Sequence, residues 1–404
     1  MTKREKLGLL SSIIFIGFFA SLFYHYLLGK YLFNLPFPYN TFLFVPDDRF
    51  GDFTNLYESV RNMEPYSYGL FLFPPFASLL LYPFTMFPEL VGLAILIAVF
   101  IIFHFLVCYK YLSIDGKISF KTFISISCLT YPFLFSVDRA NFELLVYIMM
   151  FLFIYFYQHN KYLLSSYFLA FSIATKIYPA VFIVLLVSKK RYKEVLYTFI
   201  TVCIIIIVSL LLFKDSPQEN IARLINNWSF YTKSYVENIS GWAYGSSLWG
   251  AFKVLYFGFI KILFGSIEFA NNTIHNFKIP YALVTLSLFG ICSYFVIFRE
   301  VILWRQVTVL VICMNLLPFV TGDYRLMHFY IPLALFINSE PSKSDYRYIT
   351  IFALLLIPQH FFPIVHWVWS EVITHPLLMV ILLWLLLVDL LSSTNSLKKN
   401  MAIT

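Results

Sequence analysis

The chain has 404 residues, of which 60% are hydrophobic and 12% charged, and its mean hydropathy is +0.78. Soluble domains carry about a quarter of their residues as charged side chains, so this composition excludes an ordinary soluble protein. The net charge of +8 does not indicate nucleic-acid binding. The basic residues form short clusters between apolar runs, at 3–6, 189–191 and 398–399, as they do in the cytoplasmic loops of membrane proteins.

Nearly uncharged segments such as 90–109, 194–213 and 280–298 recur along the chain. Most approach the roughly 20 residues that a helix needs to cross a bilayer. They are apolar on every face, which is typical of spanning helices. We therefore predict an all-α, polytopic transmembrane bundle with about 10–12 membrane helices, some of them short or re-entrant, in a single integral membrane domain over 1–404.

The basic start of the chain places the N-terminus in the cytoplasm under the positive-inside rule. The apolar run over 7–28 has no small-residue cleavage site, so we expect it to remain as the first helix. It leads into a first extracytoplasmic loop, 31–73, which is rich in proline and acidic residues. The apolar piece over 76–87 is short and broken by proline, so we expect it to be re-entrant or interfacial, before a full helix over 88–109.

The middle of the chain is predicted to cross outward over 121–137 and back over 142–157. The next apolar segment, 162–187, is bracketed by basic residues at both ends, which a single crossing does not explain. We predict a hairpin of two short half-helices that meet at 176–179. Proline cannot continue the helical hydrogen-bond ladder, and Pro179 stands at this point.

The second half begins with an outward crossing over 194–213 and a second extracytoplasmic segment over 214–247. The apolar stretch 248–264 is either interfacial or spanning. Later, the polar residues 321–325 are expected at an outer end, and 339–348 inside, together with the lysine-bearing tail.

Several short motifs follow one another in order. The first loop contains Arg49-Phe50-Gly51-Asp52-Phe53, Tyr57, Pro65-Tyr66, Phe73-Pro74-Pro75-Phe76 and Leu81-Tyr82-Pro83. Further along are Asp138-Arg139-Ala140-Asn141-Phe142-Glu143, the stretch AFSIATKIYP over 170–179, and Asp323-Tyr324-Arg325-Leu326 with Pro332. This order resembles glycosyltransferase family 87, of the polytopic GT-C superfamily. The sequence departs from the family pattern at Arg139-Ala140, where the family commonly has Gly-Gln.

The resemblance implies a GT-C-like bundle and an inverting transfer of a hexose, mannose or glucose, from a polyprenyl-phosphate donor to a glycan or glycolipid acceptor. It further implies a multi-pass protein of the cell inner (plasma) membrane, with a cytoplasmic N-terminus and an extracytoplasmic active site. The expected partners are donor, acceptor and membrane lipids, and no nucleic acid. No cofactor or metal is expected, because neither the acidic residues nor the five cysteines show ligand spacing.

One carboxylate is enough for such a transfer. A base must remove the proton of the acceptor hydroxyl, whereas the leaving phosphate is already a stable anion and needs no acid. Asp52 is the predicted base, because it lies in a loop at the membrane surface, with Asp48 as the second choice. The alternative is that Asp52 is only a solvated loop acid or a helix N-cap.

The donor phosphate needs cations, and four basic residues are predicted to bind it: Lys176, Arg325, His328 and Arg139. Lys176 is the sharpest candidate, because an ammonium inside an apolar segment is costly unless it meets a partner or a cavity. Its alternatives are snorkelling to the interface or pairing with a buried acid. Arg325 and His328 could instead be headgroup anchors. Arg139 could simply pair with Glu143, one helical turn away.

The predicted substrate-binding residues are Tyr57, Asn141, Glu143, Tyr178, Trp242 and Tyr244. Trp249 is a further candidate for the wall of the acceptor site. The alternative for the aromatic members is an ordinary lipid-facing or interfacial role.

Two rival functions remain open from the sequence. A polysaccharide polymerase of the O-antigen type shares the length, the aromatic richness and the large outer loops, but the acidic first loop argues against it. A lipid-linked sugar flippase or transporter would show matching halves with broken helices, and no such symmetry is evident.

Overall fold

A computed structural model gives the fold of residues 1–24, 50–67, 71–238, 245–358, 362–364, 367–369 and 371–401. This part of the chain is helical, apart from two short antiparallel strands, β1 (Phe362–Ile364) and β2 (Trp367–Trp369). The predicted all-α helical class is therefore confirmed.

The first half of the fold runs from a capped N-terminus to a long apolar helix. Thr2 Oγ1 accepts a hydrogen bond from Glu5 N, and the Glu5 carboxylate accepts one from Thr2 N, which together start the first helix. The helices are α1 (Lys3–Leu22), α2 (Gly51–Arg61), α3 (Pro75–Thr85), α4 (Glu89–Leu112), α5 (Phe120–Ser127), α6 (Tyr131–Arg139), α7 (Glu143–Gln158), α8 (Tyr162–Thr175), the 3₁₀ helix Tyr178–Phe182, α9 (Ile183–Ser188) and α10 (Tyr192–Leu212).

The second half alternates between short and long helices. It contains α11 (Pro217–Tyr231), a π-helical turn Thr232–Val236, α12 (Leu248–Phe264), α13 (Glu268–Thr273), a 3₁₀ turn Ile274–Phe277, α14 (Lys278–Phe298), α15 (Leu303–Leu316), the 3₁₀ helix Asp323–Phe329, α16 (Tyr330–Ile337), α17 (Asp345–Leu356) and α18 (Glu371–Met401).

Five helical segments of the described chain are long and apolar enough to cross a membrane. They are Lys3–Leu22, Glu89–Leu112, Tyr192–Leu212, Glu268–Phe298 and Val372–Leu390. Four shorter apolar segments accompany them: Glu143–Gln158, Tyr162–Thr175, Tyr178–Ser188 and Leu303–Leu316. The five long segments, the four shorter ones and the bent pair α5 and α6 make ten apolar segments in the described chain. The sequence predicts about 10–12 membrane helices, short ones included.

The predicted outward run over 121–137 is broken. α5 and α6 are bent by 54° relative to one another, at a gap of three residues. Pro132 lies in the first turn of α6, where no amide hydrogen is needed. A single helix continuing from α5 would need an amide hydrogen at this position, which proline lacks, so the helix is interrupted here.

The predicted hairpin over 162–187 is confirmed. α8 ends at Thr175, and the 3₁₀ helix that contains Pro179 leads into α9. The guanidinium of Arg191 lies 4.2 Å from the centre of the Tyr162 ring, so both ends of the hairpin are at the same side of the bundle. Its tip, at Lys176, reaches the opposite side.

Basic segments collect on the side of the bundle that holds the N-terminus. Lys3 Nζ donates to Asn338 Oδ1, and Asn338 Nδ2 donates to the carbonyl of Tyr111. Next to Tyr111, Lys110 Nζ lies 4.4 Å from the centre of the Tyr155 ring, near the end of α7. We call this the N-terminal side. α7 begins on the other side, because its 16 residues extend about 24 Å.

The opposite side is built from the first loop and the second polar segment. α2 packs on α3 and α4, in a core cluster that includes Phe53, Val60 and Leu96. The second segment reaches the bundle at Gly245, which pairs with Gly322, and Ser246 N donates to the carbonyl of Thr321. These contacts bring residues distant in sequence to one end of the helices.

Candidate active site

Four interruptions of the helical structure meet on the side opposite the N-terminus. α2 begins there, with Asp52 in its first turn, and α6 ends there at Arg139. α8 ends immediately before Lys176, and the 3₁₀ helix Asp323–Phe329 supplies further polar side chains. Interrupted helices at membrane depth are tolerated only where protein or a cavity surrounds them, so this convergence marks a site.

Both carboxylate oxygens of Asp52 accept a hydrogen bond. Arg139 Nη2 lies 2.8 Å from Oδ1, and Asn141 Nδ2 donates to Oδ2 across 2.9 Å. The side chain of Asp52 is still 24% exposed. Two donors therefore fix the carboxylate, while part of it remains open to a ligand.

Asn141 owes its orientation to two other groups. Ala140 adopts a left-handed conformation with φ of 46°, which turns the chain sharply between α6 and α7. The side-chain oxygen of Asn141 then accepts hydrogen bonds from Glu143 N, at 2.8 Å, and from Lys176 Nζ, at 2.9 Å. Because the oxygen is occupied by two donors, the amide nitrogen is turned toward Asp52.

Glu143 is the buried centre of the polar network, with a side chain only 1% exposed. Lys176 Nζ lies 2.6 Å from its Oε2, and His328 Nε2 lies 2.6 Å from its Oε1. The hydroxyl of Tyr178 donates to the same Oε1. A buried carboxylate needs partners of this kind, since an unpaired charge away from water is costly.

The ammonium of Lys176 also lies among aromatic rings. The ring centres of Phe73, Phe142 and Tyr324 are 4.9, 4.4 and 4.9 Å from Nζ. Such distances allow cation–π attraction, which adds to the ion pair with Glu143. The side chain is 2% exposed, so Lys176 is held by partners within the protein.

Arg325 is bound differently. Its guanidinium carbon lies 3.9 Å from the centre of the Tyr178 ring. Its Nε and Nη1 atoms are buried and have no hydrogen-bond partner among the residues that the structure describes. Tyr231, from α11, lies within range of the positive charge of Arg325, which lowers the pKa of the Tyr231 phenol. Burial has the larger effect and raises this pKa to about 12, so the phenol stays neutral. Arg325 therefore presents buried donors that suit an anionic ligand.

A family model for glycosyltransferase family 87 matches residues 71–321, which is more than half of the chain. The chain belongs to glycosyltransferase family 87. It is therefore a glycosyltransferase, and its long apolar helices indicate a membrane protein. This confirms the prediction of a membrane glycosyltransferase and not the alternative of a transporter. No curated protein matches the chain.

The match to glycosyltransferase family 87 covers only part of the site. Five members of the network lie inside residues 71–321: Arg139, Asn141, Glu143, Lys176 and Tyr178. Asp52, Arg325 and His328 lie outside this range. The geometry is thus what joins these three residues to the family-matched part.

Eight of the residues predicted from the sequence come together in this site. We call them the Asp52 cluster: Asp52, Arg139, Asn141, Glu143, Lys176, Tyr178, Arg325 and His328.

The other predicted residues are not part of this cluster. Tyr57 is buried in the core of the first loop, and its hydroxyl donates to the carbonyl of Phe87. Asp48, Trp242 and Tyr244 lie outside the described residues. Trp249 is fully buried, and its Nε1 donates to the carbonyl of Val236.

The structure decides between several alternatives that the sequence left open. Lys176 does pair with a buried acid, as one alternative held. The pairing of Arg139 with Glu143 was wrong, because Arg139 bonds to Asp52 instead. The N-cap alternative for Asp52 was also wrong, since Phe50 occupies the N-cap of α2. His328 is fully buried, which is not the position of a headgroup anchor.

Two tyrosines of the site were not predicted. Tyr324 packs against Lys176 and could have been noticed as the neighbour of Arg325 in the same motif. Tyr231 had no signal of its own, because it is one of several aromatic residues in a polar segment. Across the described part of the chain, no group of three or more His, Cys, Asp or Glu side chains could hold a metal ion.

Proposed function

We propose that this glycosyltransferase is an inverting enzyme that moves a hexose, mannose or glucose, from a polyprenyl-phosphate donor to a glycan or glycolipid acceptor on the outer face of the cell inner membrane. One observation carries the proposal. The same network holds a partly exposed carboxylate, Asp52, and the guanidinium of Arg325, whose buried Nε and Nη1 atoms have no partner among the described residues. A base and an anion-binding group are the two parts that this transfer requires.

The reaction is a single displacement. The oxygen of the acceptor hydroxyl attacks the anomeric carbon of the sugar, and its proton passes to the carboxylate of Asp52. The bond between the anomeric carbon and the phosphate oxygen breaks, and the electron pair leaves with the lipid phosphate. No covalent sugar–enzyme intermediate forms, so the configuration at the anomeric carbon is inverted. A retaining route would need a second carboxylate as nucleophile.

The neighbours of Asp52 suit its role as a base. Arg139 and Asn141 both donate to its carboxylate, which fixes the direction of its oxygens. The side chain remains partly exposed, so an acceptor hydroxyl can approach an oxygen that keeps lone pairs free.

Among the four cations proposed to meet the donor phosphate, Arg325 has the donors to do so directly. Lys176 Nζ already donates to Glu143 and Asn141, and Arg139 is bonded to Asp52. Within the described chain, His328 Nδ1 has no hydrogen-bond partner either, so this imidazole has one nitrogen to offer. We propose that Arg325 binds the phosphate and that the other three supply positive charge nearby.

The clustering of basic residues supports the outer location of the site. Lys3, Lys6 and Lys110 lie on the N-terminal side, and the ends of the hairpin, with Arg191, lie there too. The positive-inside rule assigns that side to the cytoplasm. The Asp52 cluster is on the other side and would face the exterior.

The first test replaces Asp52 by asparagine. The D52N variant keeps the shape of the side chain but cannot take a proton, and general-base catalysis contributes about 10²–10⁴-fold to rate. We expect transfer from radiolabelled polyprenyl-phosphate mannose or glucose in membrane preparations to fall by that factor, at an unchanged protein level.

Glu58→Gln is the matched control, because Glu58 is an exposed carboxylate on the same helix. It should leave transfer unchanged. If D52N kept most of its activity with both donors, or if both variants lost activity equally, the assignment of Asp52 as the base would be wrong.

A further inference from the structure

α11 presents three different faces around its axis. On one face, Asn220, Leu224 and Asn227 are buried against the rest of the protein. Asn227 Nδ2 donates to the carbonyls of Tyr66 and Phe71 in the first loop, at 3.4 and 3.2 Å. This face anchors α11 to the segment that leads to the site.

The next face is an exposed apolar stripe. Ile221, Ile225 and Trp228 are 43%, 56% and 42% exposed, and their spacing of i, i+4 and i+7 places them in one row along the helix. The indole nitrogen of Trp228 donates to the carbonyl of Leu72, which fixes the ring at the edge of the stripe. Large apolar side chains in such a row mark a surface that meets an apolar or interfacial partner.

The remaining face is mainly polar, with one exposed aromatic side chain, Phe230, in the last turn of the helix. At 100° per residue, an exposed polar arc follows the stripe around the helix; it contains Gln218, Glu219, Asn226 and Ser229. α11 thus passes from a packed face through an apolar stripe to a polar arc. This pattern is typical of a helix that lies in the plane of a bilayer surface.

We propose that α11 is bound to the bilayer interface, with Ile221, Ile225 and Trp228 inserted at the boundary between headgroups and acyl chains. The position of α11 in the chain favours lipid over a protein partner. The membrane span α10 ends at Leu212, five residues before Pro217, and its last residues, Leu211 and Leu212, are 66% and 56% exposed. The apolar stripe therefore begins where a lipid-facing surface ends. A tryptophan at this level matches the aromatic belt of membrane proteins.

The contact of α11 with the bilayer bears on where the lipid-linked sugar donor binds, and this step rests on the proposed function. The middle of α11 is bonded to the first loop, because Asn227 donates to the carbonyl of Phe71. The Phe71 ring stacks on that of Phe142, whose centre lies 4.4 Å from Lys176 Nζ in the Asp52 cluster. A helix anchored at the headgroup level would hold the donors of Arg325 at the depth where the phosphate of a lipid-borne sugar arrives.

The test measures the depth of single spin labels in vesicles of phosphatidylethanolamine and phosphatidylglycerol. The full chain carries Cys128→Ala and Cys203→Ala, because these two native cysteines are only partly buried. A label is attached at Ile225→Cys, or at Asn226→Cys as the matched control on the polar arc. We expect the label at 225 to be more accessible to oxygen than to an aqueous nickel chelate, and the label at 226 to show the reverse.

The membrane contact is overturned if both labels are equally accessible to the aqueous chelate, since the stripe would then face water. It is also overturned if the label at 225 is shielded from both reagents, since a protein or a second copy of the chain would then cover it. Neither reading depends on transfer activity, so this proposal and the proposed function can fail separately.

A kinetic measurement tests the consequence for the donor. The Ile221→Asn/Ile225→Asn double variant should raise KM for a long-chain polyprenyl-phosphate sugar and leave kcat unchanged. If KM does not change although the labels show insertion, α11 is a membrane contact that does not set the depth of Arg325.

Discussion

Two charged clusters stand at opposite sides of this bundle, and they differ in how completely they are paired. On the N-terminal side, the Asp345 carboxylate accepts from the N-terminal ammonium at 3.1 Å and from Ser342 N at 2.9 Å, and Lys6 Nζ lies 3.4 Å away. Lys6 Nζ also donates to the carbonyls of Phe336 and Ser339. The charged groups of this cluster have their partners within the protein.

The Asp52 cluster is incomplete by comparison. Its base is partly exposed, and Arg325 keeps buried donors for which the described residues supply no acceptor. Charge at a helix end is therefore weak evidence for a ligand, because both sides have it. An unsatisfied buried donor in the same network as an open carboxylate is better evidence, since leaving such a donor unpaired costs free energy that a ligand could recover.

The largest effect on stability is expected inside the Asp52 cluster. Lys176→Met leaves the buried carboxylate of Glu143 without its ammonium partner. Breaking a buried pair in this way costs about 3–5 kcal/mol, so we expect the free energy of unfolding in detergent to fall by that amount.

Two further variants sharpen this result. In Lys176→Met/Glu143→Leu both charges of the pair are removed together, and much of the loss should be recovered. Arg223→Gln breaks a partly exposed ion pair with Asp215 and Glu219, and should cost about 0–1 kcal/mol. A Lys176→Met variant as stable as Arg223→Gln would contradict the buried pair.

The next effect concerns binding of the donor. Arg325→Gln removes the cation that is proposed to meet the phosphate. A hydrogen bond to a charged group contributes about 1.5–3 kcal/mol, so kcat/KM for the polyprenyl-phosphate sugar should fall by about 10–100-fold. Stability should hardly change, because Nε and Nη1 have no hydrogen-bond partner in the part of the chain that the structure describes. Arg61→Gln, at an exposed arginine on α2, is the control. Equal kinetics in the two variants would remove Arg325 from the site.

In the Asp345 cluster, we expect a smaller effect on stability than that of Lys176→Met. Lys6→Met removes three hydrogen bonds, but Asp345 keeps the N-terminal ammonium and Ser342 N. We expect a loss of about 1–3 kcal/mol in the free energy of unfolding. Transfer per folded molecule should match that of the unaltered protein. A loss of activity without a loss of stability would show that the two sides of the bundle are coupled.

The sequence alone determined the helical class and most of the residues that meet at the site. Hydropathy and proline position are local properties, so they predicted the boundaries of α4 and α10 to within a few residues and the break at Pro179. Most site residues were found through the ordered motifs that resemble glycosyltransferase family 87. Lys176 also stood out because a charged side chain is rare in an apolar segment.

Only the tertiary structure decided how these residues are paired. Asp52 meets Arg139 across 87 residues of sequence, and Glu143 meets His328 across 185. Hydropathy and helical periodicity do not specify contacts at such separations, which explains why the local pairing of Arg139 with Glu143 was wrong. Partner choice depends on how the helices pack, and that packing commits Lys176 to Glu143 while it leaves the donors of Arg325 available.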